Sequence, residues 1–265
     1  MAADTAVPFL HTVTLTGIDD HTDLAALRDV AQQYPWVEFA LLLGRRNLRG
    51  GRSEFPSIDT LLSIQRLAKA SEDLGTPLRL AGHVCGAWAS DLSKGRTEVL
   101  DELPLEIWRM CARLQLNIGW AVDRGDLRPE AIRLGILAEH HATKHMQGLI
   151  IQCGDDESVV RQAIEARGEI GLPLQVLFDE SSGHGVPLTR HRYWPGVDCG
   201  FAGGLTPLSV PTYCAAFADY MACQGVTPQG HVWVDAQSGL RDERDRFSSR
   251  LVRAFLQAAA PFVLG

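Results

Sequence analysis

Eight short strand-like runs separated by helical patterns constrain this chain more than any other feature. Residues 12–18, 37–43, 78–84, 116–119, 149–153, 174–178, 198–202 and 231–234 read as strands, several of them nearly continuous in apolar residues. A continuous apolar run such as 37–43 marks a strand buried on both faces. Helical patterns fit 23–33, 57–74, 98–114, 129–146, 155–170, 208–223 and 242–259, with Thr22 or Asp23 and Ser57 or Asp59 as N-caps and Pro129 in a first turn. This alternation indicates parallel strands joined by right-handed crossovers. Eight units within 265 residues favour an α/β fold of the closed TIM (β/α)8 type, one domain over residues 1–265, above an open doubly wound sheet.

The segments 44–56, 86–95 and 181–196 read as irregular, and each follows the C-terminal end of a strand, where such barrels keep their working loops. The net charge of -7 argues against a general nucleic-acid or membrane-surface partner, and no apolar run reaches membrane-spanning length. The first residues carry neither a basic segment nor a long apolar one, so no signal peptide is expected. Cys85, Cys111, Cys153, Cys199, Cys214 and Cys223 form no C-x-x-C pair, which fits reduced thiols in a cytoplasmic protein.

The chemistry points to the C-terminal third. Phe201-Ala202-Gly203-Gly204-Leu205-Thr206-Pro207 and Val232-Trp233-Val234-Asp235-Ala236-Gln237-Ser238-Gly239-Leu240 are each a strand ending in glycine, with a helical pattern behind. Glycine lets backbone N–H groups approach a ligand closely, and a helix N-terminus adds positive potential. Gly203, Gly204, Ser238 and Gly239 are therefore candidates for a phosphate cradle after strands seven and eight. Asp179, directly after strand six, is a candidate general acid or base. Asp235 holds the matching position on strand eight, suited to sugar hydroxyls or to its own turn.

Asp19 and Asp20 follow strand one. His83 and Cys85 share a face at the end of strand three, so His83 is a proton-transfer candidate. Cys153 reads as an inert buried thiol. Arg45, Arg46, Arg49 and Arg52 form an arginine-rich loop able to clamp a carboxylate or phosphate. Among His140, His141 and His145, the i, i+4 pair His141 and His145 has no carboxylate or third ligand at a suitable spacing, so no metal is expected, nor is a cofactor.

These segments resemble phosphoribosylanthranilate isomerase, a tryptophan-biosynthesis family of the ribulose-phosphate-binding barrel group. The Ala202-Gly203-Gly204-Leu205 turn is similar to its Ala-Gly-Gly-Leu phosphate turn. Asp235-Ala236-Gln237-Ser238-Gly239-Leu240 is similar to its Asp-x-Ser-Ser-Gly-Val turn. Phe178-Asp179 with Gly183-His184-Gly185 is similar to its strand-six aspartate and the glycine loop beyond it. The resemblance implies an Amadori rearrangement of an aminoaldose phosphate to an aminoketose phosphate, with Asp179 as general acid and an arginine of the second loop for the anthranilate carboxylate.

The family's strand-one cysteine-glycine pair, which supplies its general base, is Thr16-Gly17 here, and a threonine hydroxyl cannot replace a thiolate. Asp19, His83 or Cys153 would then take that role. The partner implied is a small phosphorylated substrate, bound by a monomer or homodimer. Two other readings stand beside this one: a non-catalytic phosphosugar-binding barrel, and a lyase or epimerase on the same scaffold. A Schiff-base version of the lyase is disfavoured, because none of Lys69, Lys94 and Lys144 lies at a strand end.

Overall fold

The computed structural model describes residues 7–50, 54–94, 96–118, 146–154, 157–165, 173–179, 186–187 and 190–265. Eight strands, β1 (Thr12–Thr16), β2 (Val37–Leu43), β3 (Leu80–Val84), β4 (Arg113–Leu116), β5 (Gly148–Cys153), β6 (Leu174–Asp179), β7 (Asp198–Ala202) and β8 (Val232–Ala236), run parallel. Each pairs with the next, and β8 pairs with β1 to close a TIM-type barrel. Among the described residues the helices are α1 (Leu24–Gln33), α2 (Ile58–Asp73), α3 (Ala87–Ser93), α4 (Leu105–Arg109), α5 (Ser158–Glu165), α6 (Val210–Cys223) and α7 (Ser249–Ala259). The expected helix over 129–146, with His140, His141 and His145, lies outside the described residues up to residue 145. So do Arg52, residues 183–185 and the 166–170 end of the expected fifth helix.

Four expectations need correction. Residues 98–114 do not form one helix: a 3-10 turn (Glu98–Asp101) and α4 are separated around Pro104, which lacks an N–H donor. Residues 113–116, split between that helix and a later strand in the sequence reading, are β4. The segment 86–95 contains α3, and the last helix begins at Ser249 rather than 242. There the Asp242 carboxylate accepts the backbone N–H groups of Arg244 and Arg246, holding a loop until Ser248 caps α7 through the Leu251 N–H.

The faces of the staves divide sharply. Val13, Leu15, Phe39, Leu41, Val176, Phe178, Phe201 and Val234 join the apolar layer under the helices. The alternate positions face the barrel interior, and many are polar: Thr12, Thr14, Thr16, Glu38, His83, Arg113, Gln115, Gln152, Gln175, Asp179 and Asp235 are all buried. Ile150, Leu177 and Trp233 form a small separate apolar layer inside. Trp233 fits because β7 carries Gly200 opposite it, where any Cβ would overlap the indole.

Below this layer a hydrogen-bonded network crosses the barrel. Arg113 donates to Glu38 through Nε at 3.0 Å and Nη2 at 2.5 Å, to Gln175 at 3.0 Å, and lies 4.6 Å over the Trp233 ring. Thr14 donates to Glu38, and Gln175 donates to Asp198. Burial alone would raise the Glu38 carboxyl, but the charge and hydrogen bonds of Arg113, with Thr14, hold it below the ordinary value.

Candidate active site

The C-terminal ends of the strands open onto a cavity of about 340 Å3. Asp179, the last residue of β6, and Asp235, within β8, stand on either side of Ala202 in β7. Both alternate with outward core residues, so both carboxylates enter the cavity. Gln152 Nε2 donates to Asp179 Oδ2 at 2.7 Å, and Thr16 Oγ1 donates to Asp235 Oδ1 at 2.6 Å. Burial pushes the Asp235 carboxyl up to about 7. The Thr16 hydrogen bond opposes that rise, the charges of Asp179 and Glu38 add to it, and Arg113 counters it.

A proton held more tightly in the folded state stabilises it at low pH. That stability is fully present below the unfolded value near 3.8 and is lost as pH rises toward about 7. Asp235→Asn removes the titration. Its stability advantage over the unmodified protein is therefore expected to grow by roughly 2–3 kcal/mol between pH 5 and pH 8, from about 1.4 kcal/mol per pH unit of slope. Urea unfolding of both proteins at the two pH values measures it, and a gap independent of pH would refute the buried-proton account.

His83 lines the same cavity with Nδ1 3.9 Å from Asp235 Oδ2. Burial drives its imidazole down to about 3, so it is neutral at ordinary pH and the separation is not an ion pair. Asp19 is fully engaged. Its Oδ2 accepts from Arg241 Nη2 and the Phe247 N–H, both at 2.9 Å, while Oδ1 accepts from the His21 N–H and the Thr22 hydroxyl. Arg241 also donates to the Gly17 carbonyl at 2.7 Å. The geometry thus gives Asp19 the work of tying the β1 loop to the β8 loop, in place of the proton transfer expected from sequence. Cys153 is buried with its thiol toward the Gly154 carbonyl.

The two glycine bends touch. A Cβ at Gly239 would overlap the Leu205 carbonyl oxygen, so only glycine lets the β8 bend close on the β7 bend. Gly204 has φ 55° and Gly203 φ 142°, conformations that side-chain-bearing residues rarely adopt. Gly203, Gly204 and Ser238 line the cavity. The N–H groups of Gly203, Gly204, Ser238 and Gly239 donate to no protein group among the described residues. Behind them Thr206 and Ser209 exchange side-chain-to-backbone hydrogen bonds that set the entry to α6.

A second cavity of about 450 Å3 adjoins the first and shares Glu54, Asn117, Gln152 and Gln237 with it. Arg45 and Arg46 line this extension. Arg46 lies 5.0 Å over the Phe55 ring, and exposed Arg45 reaches to 4.0 Å from Asp91. The rim also brings Glu54, Asp242, Asp245 and Arg241 to the first cavity. Sequence reasoning misses Arg241 and the Thr16–Asp235 contact. Both join residues more than 200 positions apart, and no local pattern signals such a pair.

The fold and its mouth define the class: a closed (β/α)8 barrel with two carboxylates on the cavity floor and paired glycine bends on its rim. A solved structure of phosphoribosyl anthranilate isomerase from Thermus Thermophilus is similar to the chain with a TM-score of 0.50 at 14% identity, covering 94% of this chain and 98% of that one. TrpF from Jonesia denitrificans gives 0.49 at 14% identity over 94% and 96% of the two chains, and 3-hexulose-6-phosphate synthase from Salmonella typhimurium gives 0.49 at 14% over 94% and 98%. No protein-family model matches the sequence, and no curated protein matches it.

Proposed function

We propose that this protein is a phosphosugar enzyme catalysing an aldose-to-ketose isomerisation of the Amadori type, with Asp179 as general acid. One observation carries the reading: two bends in contact bring Gly203, Gly204 and Ser238, whose amide N–H groups donate to no protein group among the described residues, to a cavity that also holds two buried carboxylates. Backbone amides on a bend that leads into the N-terminus of α6 suit a phosphate. The cavity is large enough for a phosphorylated sugar. Ring opening of an aminoaldose creates a cationic iminium, and a carboxylate-lined cavity stabilises developing positive charge. Arg45 and Arg46, on the adjoining extension, would receive an anionic substituent on the amine.

Binding and chemistry are tested separately. Ribose 5-phosphate at a hundred times its dissociation constant is expected to stabilise the protein by about 2.7 kcal/mol, read as a rise in melting temperature. Gly204→Asp places a carboxylate in the cradle and should remove that rise; an undiminished rise would put the phosphate elsewhere. Turnover of phosphoribosylanthranilate by the unmodified protein tests the reaction, and phosphate binding without turnover would leave the non-catalytic barrel.

A further inference from the structure

We propose that Asp235 is the proton acceptor of this site and that the Thr16 hydroxyl positions its carboxylate. The proposal rests on the isomerase reading above and names a group that reading leaves open. Such a rearrangement needs one group to protonate the ring oxygen and another to remove the proton on C2. Asp179 fills the first role. The remaining groups around the floor are poor acceptors. His83 binds a proton too weakly, Cys85 is held as a thiol with burial pushing it up to about 12, and the Thr16 proton is committed to Asp235. Asp242 and Asp245 are exposed on the rim.

Asp235 has the geometry of a mounted base. Its Oδ1 is anchored by Thr16 at 2.6 Å, and among the described residues Oδ2 accepts no hydrogen bond. The groups acting on it come from all round the barrel: Thr16 on β1, Glu38 on β2, His83 on β3, Arg113 on β4 and Asp179 on β6. Burial above all makes it roughly a thousandfold more basic than an ordinary aspartate.

The proton steps balance. In the reacting form the single proton of the pair sits on Asp179, which gives it to the ring oxygen as the C1–O bond breaks, leaving an open-chain iminium. The Asp235 carboxylate takes the C2 proton, the C2–H electrons form the C1=C2 bond, and the C1=N pair returns to nitrogen. The enol hydroxyl then gives its proton to Asp179 while C1 receives the proton held by Asp235. Both carboxyl groups are reset, the aminoketose is formed, and nothing is oxidised or reduced.

The test compares pH profiles of kcat/KM on phosphoribosylanthranilate for the unmodified protein, Asp235→Asn, Thr16→Val and Thr16→Ser. The profile of the unmodified protein should be bell-shaped, because one carboxyl group must hold the proton while the other is ionised, with its upper step near 7. Asp235→Asn should lose that step and about a hundredfold in rate or more. Thr16→Val, lacking the donor that favours the carboxylate, should move the step to higher pH, and Thr16→Ser should leave it in place. Inorganic phosphate should raise the melting temperature equally in all four.

Asp235→Asn within severalfold of the unmodified rate overturns the proposal. If the unmodified protein turns nothing over, the isomerase reading fails, and the mounted carboxylate is judged directly by 13C NMR of aspartate carboxyl groups. A signal absent from Asp235→Asn should titrate near neutrality and shift upward in Thr16→Val; titration in the ordinary aspartate range overturns the assignment.

Discussion

Asp179→Asn is expected to lower kcat on phosphoribosylanthranilate by roughly 10²–10⁴-fold while inorganic phosphate still raises the melting temperature as before. The substitution preserves shape. An asparagine side chain at this position keeps an oxygen able to accept the Gln152 Nε2–H bond, which is 2.7 Å long in the unmodified site. What disappears is a group that can give up and regain a proton. Gly203, Gly204 and Ser238, proposed above to hold the phosphate, belong to the neighbouring bends, whose conformation does not depend on the charge at 179. Loss of turnover with phosphate binding intact would tie the chemistry to β6, whereas full activity would remove Asp179 from the acid role.

Arg113→Met is expected to destabilise the protein by about 3–5 kcal/mol, a fall in melting temperature of roughly 10 °C for a chain of this size. Arg113 and Glu38 are both buried inside the barrel, and the guanidinium neutralises a carboxylate that is almost entirely removed from water. Removing the arginine strands Glu38, leaves Gln175 Oε1 without its donor and strips the cation from the Trp233 face. The double variant Glu38→Leu, Arg113→Met replaces the pair by apolar groups and should recover most of the loss, since the desolvation penalty of a buried pair offsets much of its attraction. Chemical unfolding of both variants decides the matter. A single variant as stable as the unmodified protein would show the pair to be incidental.

The sequence is most readable where strands are apolar on both faces or end in glycine. Val37–Leu43 and Asp198–Ala202 fall where they are expected, as do the β7 and β8 bends. It is least readable at β4. Arg113-Leu114-Gln115-Leu116 alternates polar and apolar residues, which in a barrel normally lined by bulky aliphatics does not announce an interior strand. Here the interior itself is polar, and Arg113 and Gln115 point into it; Arg113 finds its partners there on β2 and β6. Asp19 misleads for a related reason. A carboxylate after a strand reads as a site residue until Arg241, from the far end of the chain, is seen to hold it.

By itself the amino-acid order determined the barrel, the identity of its last two bends and the presence of a carboxylate at the end of β6. All three are local patterns of hydrophobicity and glycine, written in adjacent residues. Tertiary structure alone decided which polar side chains meet. Only barrel closure sets Thr16 against Asp235, Asp19 against Arg241 and Glu38 against Arg113, because proton affinity and charge pairing depend on distance in space and on burial, neither of which a linear spacing encodes.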